Sequence, residues 1–149
     1  MGFREAIRTC LREKYFTFNG RASRSEYWYF YLFVVLCWIG FIAAFMGLGG
    51  IRALDTGEFT AINYVVGALC VVGFLYLMIP NIAVQVRRFH DRNLSGWWVL
   101  AGIITSNVPY IGTLVGIAIL ILTCLKGTDG DNKFGPDPLR TDINSDVFA

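Results

Sequence analysis

Three long apolar runs, Tyr27 to Leu48, Ile62 to Val86 and Trp97 to Leu125, leave this chain few ways to fold. A helix needs roughly 20 apolar residues to cross a bilayer core about 30 Å thick, and the first two runs reach that length. The second is broken by Pro80, Asn81 and Gln85. A soluble core spreads its apolar residues at helical or strand spacing; here they are contiguous, and the chain is 55% hydrophobic with only 16% charged residues. The expected fold class is all-α: an integral membrane helical bundle with an N-terminal amphipathic helix, two full spans and a third apolar segment broken at Pro109. The expected organisation is an amphipathic interfacial helix and turn over residues 1–26, a transmembrane helical domain over 27–125 and a polar C-terminal tail over 126–149.

The first 24 residues carry six Lys/Arg, longer and more basic than the start of a signal peptide, and lack a small-residue cleavage site. The first span is therefore expected to stay in the mature protein. Phe3, Ile7, Cys10, Leu11 and Tyr15 recur at helical spacing beside a ridge of Arg4, Arg8 and Arg12, the pattern of a helix lying among headgroups with its arginines toward lipid phosphates. Asn19-Gly20 then signals a turn, and Ser23 or Ser25 is placed to cap the helix that carries Tyr27, Trp28 and Tyr29 into the aromatic belt.

Charge sets the expected orientation. The N-terminal segment and the Arg87 to Arg92 loop are rich in arginine, whereas the connector between the first two runs holds Arg52 against Asp55 and Glu58. By the positive-inside rule the N-terminus and the arginine loop face the cytoplasm of a multi-pass protein.

The third run is 29 residues long, which as one straight helix spans roughly 43 Å, more than a bilayer core. In its middle, Ser106 and Asn107 favour a turn and Pro109 removes a backbone donor. The segment is either one kinked span or a helical hairpin that returns to the face it entered. After Leu125 the chain turns polar and rich in Gly, Pro and Asp, without helical periodicity, and reads as loop or disordered. Its "DGDN" is no calcium loop, since position 12 counted from Asp129 is Arg140.

Three blocks stand out: "FNGRASRSEYWYF", "RRFHDRNLSGWW" and "GTDGDNKFGPDP". In this order around apolar runs the chain resembles a bacterial inner-membrane family known as domain-of-unknown-function family 805, from about Tyr15 to Pro138. The resemblance implies a small membrane protein of the bacterial inner membrane and carries no mechanism. The family's shared positions fall here on Gly20, Arg21, Arg24, Glu26, Tyr27 and Trp28, on Arg87, Arg88, His90, Asp91, Arg92, Gly96, Trp97 and Trp98, and on Asn132, Phe134, Gly135, Pro136, Asp137 and Pro138. If the blocks form one site they share a membrane face, which favours the hairpin and a cytoplasmic tail with Asp137 beside an arginine.

No nucleotide loop, Ser/His/Asp set or metal-ligand spacing is present, so catalysis, a cofactor or a metal is not expected. A net charge of +2 gives no reason to expect nucleic acid, and Cys10, Cys37, Cys70 and Cys124 read as small hydrophobes. The candidate site is a collar for anionic lipid or a membrane partner, either a larger complex or further copies of the chain. It comprises Arg21, Arg24, Glu26, Trp28, Arg87, Arg88, His90, Asp91, Arg92, Trp97, Trp98, Asn132, Phe134 and Asp137. The expected role is that of a non-enzymatic accessory or scaffold protein. A different class of function rests on Asn81 and Gln85, which share a helical face with Arg88 and Arg92. Such a face lines the pathway of a small oligomeric channel or transporter, or else glues helices by hydrogen bonds. Gly112 to Gly116 is a small-xxx-small match that allows close helix approach.

Overall fold

The computed structural model describes residues 1–140. The far end of the tail, including the side of the membrane on which Ala149 lies, falls outside them. Helices α1 (Phe3–Arg8), α2 (Arg24–Phe45), α3 (Ile51–Thr56), α4 (Ala61–Asp91), α5 (Trp97–Thr105) and α6 (Ile111–Cys124) make up the fold, and there is no strand among the described residues. Turns of π-helix extend α1 over Thr9–Glu13 and α2 over Met46–Gly50.

Local chemistry sets the helix starts. Ser23 is the residue that caps α2, accepting from the Glu26 amide at 3.2 Å. Thr60 and Asn63 form a reciprocal capping box at α4. Both α2, at 22 residues, and α4, at 31, are long enough to cross a bilayer. They run antiparallel, with Glu26 beside Arg87, Trp38 5.6 Å from Phe74, and the Asn63 amide donating to the Leu48 carbonyl at 3.2 Å.

Most of this stem's apolar surface faces outward: Leu36, Ile39, Val65 and Val72 are all more than half exposed. Surfaces of that extent are stable only against lipid or another protein. The fold is an all-α membrane bundle.

Pro80 lies inside α4, where its ring denies the Tyr76 carbonyl the usual intrahelical donor. The hydroxyl of Tyr15 takes that place at 2.6 Å. The N-terminal segment is thereby stitched to the middle of α4. Its buried face is Ala6, Thr9 and Cys10, against α2 and α4, while Phe3 lies exposed over the edge of Tyr29. The apolar stripe read from spacing is thus turned by a π-turn, and part of it packs on protein.

The third apolar segment is a hairpin. Arg88 donates to the carbonyls of Thr123 and Leu125, so α6 ends beside the point where α4 hands over to α5. Gly102 of α5 packs on Ile119 of α6. Between them Tyr110 adopts φ +64° and ψ −46°, a γ-turn in which the Ile111 amide donates to the Pro109 carbonyl at 2.8 Å and the chain turns back.

Candidate functional site

The interior of the bundle is charged at one end. Arg87 and Arg88 are the largest fully buried side chains, and Arg21, Glu26, His90 and Asp91 are buried with them. Consecutive arginines point to different sides of a helix, and here each finds its own acid. Arg87 pairs with Glu26 and reaches the Cys10 sulfur at 3.8 Å. Arg88 pairs with Asp91 one turn along. The other Asp91 oxygen accepts from Nε of Arg21 at 2.9 Å.

Further donors of Arg21 and Arg88 hold backbone, while Nε of Arg87 is buried without a hydrogen-bond partner among the described residues. Arg21 donates to the carbonyls of Gly130 (2.5 Å) and Thr128 (2.6 Å), and Arg88 to those of Ala22 (3.4 Å), Thr123 (3.1 Å) and Leu125. The Thr128 amide donates to the Asp91 carbonyl at 2.9 Å. These bonds bind the start of α2, the end of α4, the end of α6 and the tail into one clasp. Gly127 lets the tail in, since a Cβ there would overlap the Asp91 carboxylate.

A second latch lies beside it. The His90 ring stacks on Phe134 at 3.9 Å between centroids and 4° between planes, with Nδ1 3.2 Å from the Gly20 carbonyl. Asn132 donates to the His90 carbonyl at 2.9 Å and accepts from the Phe134 amide. His90 and Asp91 therefore serve separate surroundings. Asp137, half-buried, sits 4.0 Å from Arg21, so two acids face the Arg21 and Arg88 pair.

The clasp is nearly solid. The cleft bounded by Arg21, Arg24, Arg88, Asp91 and Gly127 has a volume of about 20 Å³. That is room for one water molecule. No substrate or headgroup fits inside it.

Of the sequence-derived site residues, the structure gathers Arg21, Glu26, Arg87, Arg88, His90, Asp91, Asn132, Phe134 and Asp137. Their cations are buried and internally paired rather than displayed as a collar. Arg24, Trp97 and Trp98 remain exposed at the rim, with Trp28 and Arg92 half-buried, and Arg92 donates to the Lys126 carbonyl. Asn81 and Gln85 stay half-buried and make no side-chain hydrogen bond among the described residues. Cys10, Tyr15 and Gly127 belong to the network although the candidate site read from the sequence did not include them. An i−4 carbonyl orphaned by Pro80 was the one sequence signal that some partner such as Tyr15 was needed.

A family model described as "Protein of unknown function (DUF805)" matches residues 15–136. The chain belongs to the DUF805 family. The DUF805 match takes in Tyr15, every residue of the two buried arginine pairs and the His90 latch, and ends one residue before Asp137. Among curated relatives the chain is similar to Inner membrane protein YhaH of Escherichia coli K12, 38% identical over 85% of this chain and 90% of that one. Inner membrane protein YhaI of the same strain is 34% identical over 85% and 89%, and Uncharacterized protein YiiR 30% over 82% and 86%. No solved structure matches the chain. Relatives in the inner membrane and two long apolar helices agree on the location: this is a DUF805 protein of the bacterial inner membrane.

Two titrations follow from this geometry. Burial, and then the Glu26 charge, push the Cys10 thiol up to about 11. Alkylation proceeds through the thiolate, so Cys10 is expected to resist a soluble maleimide at neutral pH in the folded protein and to react once the clasp is unfolded. Mass spectrometry of the labelled N-terminal peptide reads this, and fast labelling in the native state would contradict the packing. Asp137 is held below its ordinary value of 3.8, first by the hydrogen bond from the Leu139 amide, then by those from Gly130 and by Arg21. A depressed folded value means that this share of tail docking is complete above the ordinary value and is lost as pH falls through the lower one. Hydrogen exchange at the Gly130 and Leu139 amides is expected to lose protection only in that acid window, and Asp137→Asn to remove the dependence.

Proposed function

We propose that this protein is a non-enzymatic accessory or scaffold protein, whose rim of exposed arginine and aromatic side chains binds anionic lipid or a membrane partner while the buried clasp keeps the rim in shape. The observation that carries this reading is the contrast between the two sets of cations. The clasp is internally paired and has room for a single water, so it is a fastening and takes no ligand. Arg24 is exposed at the start of α2, beside Ser25, Trp28, Tyr29 and Cys124, which together line an open niche at the level of the aromatic belt. An exposed guanidinium in one niche with indole and phenol rings suits a phosphate at the headgroup level.

The proposed topology puts the N-terminus, the clasp and the tail in the cytoplasm, with α2 and α4 crossing and the α5–α6 hairpin entering and leaving on the cytoplasmic side. Arginine placement supports it. Arg4, Arg8 and Arg12 are all exposed on the N-terminal arm, where they suit contact with the same headgroups.

Native purification with mass-spectrometric identification of bound lipids and proteins tests this function. Anionic lipid or a defined membrane partner is expected to co-purify and to diminish in Arg24→Ala. A lipid-free monomer without a partner sinks the proposal. The half-buried, unbonded amides of Asn81 and Gln85 favour a second reading, a small oligomeric channel or transporter. It requires stable oligomers and solute flux in liposomes that Asn81→Leu with Gln85→Leu abolishes, and the absence of both removes it.

A further inference from the structure

The hairpin, the N-terminal arm and the two spans divide unequally between the halves of the membrane. α5 starts where Gly96 packs on Val86 and His90, and α6 ends where Arg88 holds Thr123 and Leu125, so the open ends of the hairpin both lie at the arginine end of α4. From that level nine residues of α5 reach roughly 14 Å and fourteen of α6 roughly 21 Å. A hydrocarbon core of about 30 Å is deeper than either, and the arginine level itself lies outside it. The hairpin stops near the midplane, while α4 continues to Ala61.

The N-terminal arm follows the same rule on another side of α4. The Tyr15 hydroxyl meets the carbonyl of Tyr76, which lies eleven residues from Arg87 along α4, or roughly 16 Å. Phe16 beside it is 69% exposed. The membrane half on the arginine side thus holds four helices and an aromatic arm; the far half is crossed by α2 and α4 only, with the six-residue α3 at its outer edge.

The hairpin tip carries the marks of a segment that rests in lipid. Non-helical backbone at membrane depth is tolerated only when its polar groups find partners. Here the hydroxyls of Thr105 and Ser106 donate to the carbonyls of Ala101 and Ile103, each at 2.7 Å, and the Asn107 amide group donates to Ile103 at 3.0 Å. The Val108 and Gly112 amides bond to Thr105 and Val108. The carbonyls at the end of α5 are therefore satisfied from within the tip, and no second protein is needed to supply donors there.

We infer that the protein is a wedge in the bilayer, displacing more lipid from the leaflet on its arginine side than from the other, and that the surface it fits is a membrane convex toward that side. A body that widens one leaflet relieves the packing stress of that leaflet where it is stretched, which is the physical basis of curvature-sensitive binding. A second copy or a partner seated against the far half of α2 and α4 would even out the profile and erase the preference.

The test uses the full chain, fluorescently labelled at its N-terminus and reconstituted into vesicles of one neutral and anionic phospholipid mixture, prepared small and large. Protease accessibility of the Lys126 region sorts vesicles by which side of the protein faces out. With the arginine side outward, protein per unit membrane area is expected to be severalfold higher in small vesicles, and with it inward the preference is expected to reverse. Equal densities, or the same sign in both orientations, overturn the inference. Chemical cross-linking in the same vesicles tells why: cross-linked copies with equal densities mean that a second chain fills the far half, and monomers with equal densities mean that the hairpin does not rest in one leaflet.

Discussion

Replacing Asp91 with alanine is expected to destabilise the bundle by about 3–5 kcal/mol, the penalty of leaving buried charge without its partner. Asp91 is 3% exposed and takes one guanidinium on each carboxylate oxygen, Arg21 on one and Arg88 on the other. Both arginine side chains are 1% exposed, so neither can turn to water when the acid is gone. The tail loses its seat at the same time, because Arg21 is what holds the Thr128 and Gly130 carbonyls. Unfolding in mixed detergent, followed by fluorescence, measures the loss, and limited proteolysis shows the tail released. Arg24→Ala, a change at an exposed cation only three residues from Arg21, is expected to stay within about 0.5 kcal/mol of the wild type. Equal stability of the two variants would refute the clasp.

The second large effect is a change of sign between single and double substitution. Glu26→Leu strands Arg87, which is 0% exposed, and is expected to cost about 3–5 kcal/mol. Arg87→Met strands Glu26 in the same way. The double variant removes both charges from a site lined by Cys10, Tyr27, Phe30 and Val84, and is expected to recover to within about 1 kcal/mol of the wild type or to exceed it. The double-mutant cycle reads the coupling directly, and additive losses in the double variant would contradict a buried pair.

Run length, a proline and two turn-forming residues made the hairpin legible, since 29 apolar residues exceed one span and Pro109 falls near the middle. Geometry decided between kink and hairpin, through arginine donors reaching the carbonyls of Thr123 and Leu125. Those acceptors are backbone atoms, and backbone atoms leave no trace in residue type. The same reason hid the division of the arginines. Arg21 and Arg24 sit in one basic block and look alike in sequence, yet Arg21 meets Asp91 from 70 residues away and Arg24 meets solvent. Positive-inside reasoning locates cations near an interface and is silent on which of them turn inward. Cys10 and Gly127 were invisible for a simpler cause: a thiol filling space and a glycine making space become visible only beside what they touch.

The clasp also has an order in time. Arg21 emerges early in synthesis, and the carbonyls it holds belong to residues 107 and 109 positions later, Thr128 and Gly130. Until the ribosome has delivered them, the first block cannot finish folding, and Arg21 and Arg88 must remain hydrated at the membrane surface while both spans and the hairpin are inserted. The burial of these two cations is then a late event of assembly, followed only by the contacts of Asn132, Phe134 and Asp137. What looks in the finished molecule like a fastening is, in the order of synthesis, a contact between the first block and nearly the last.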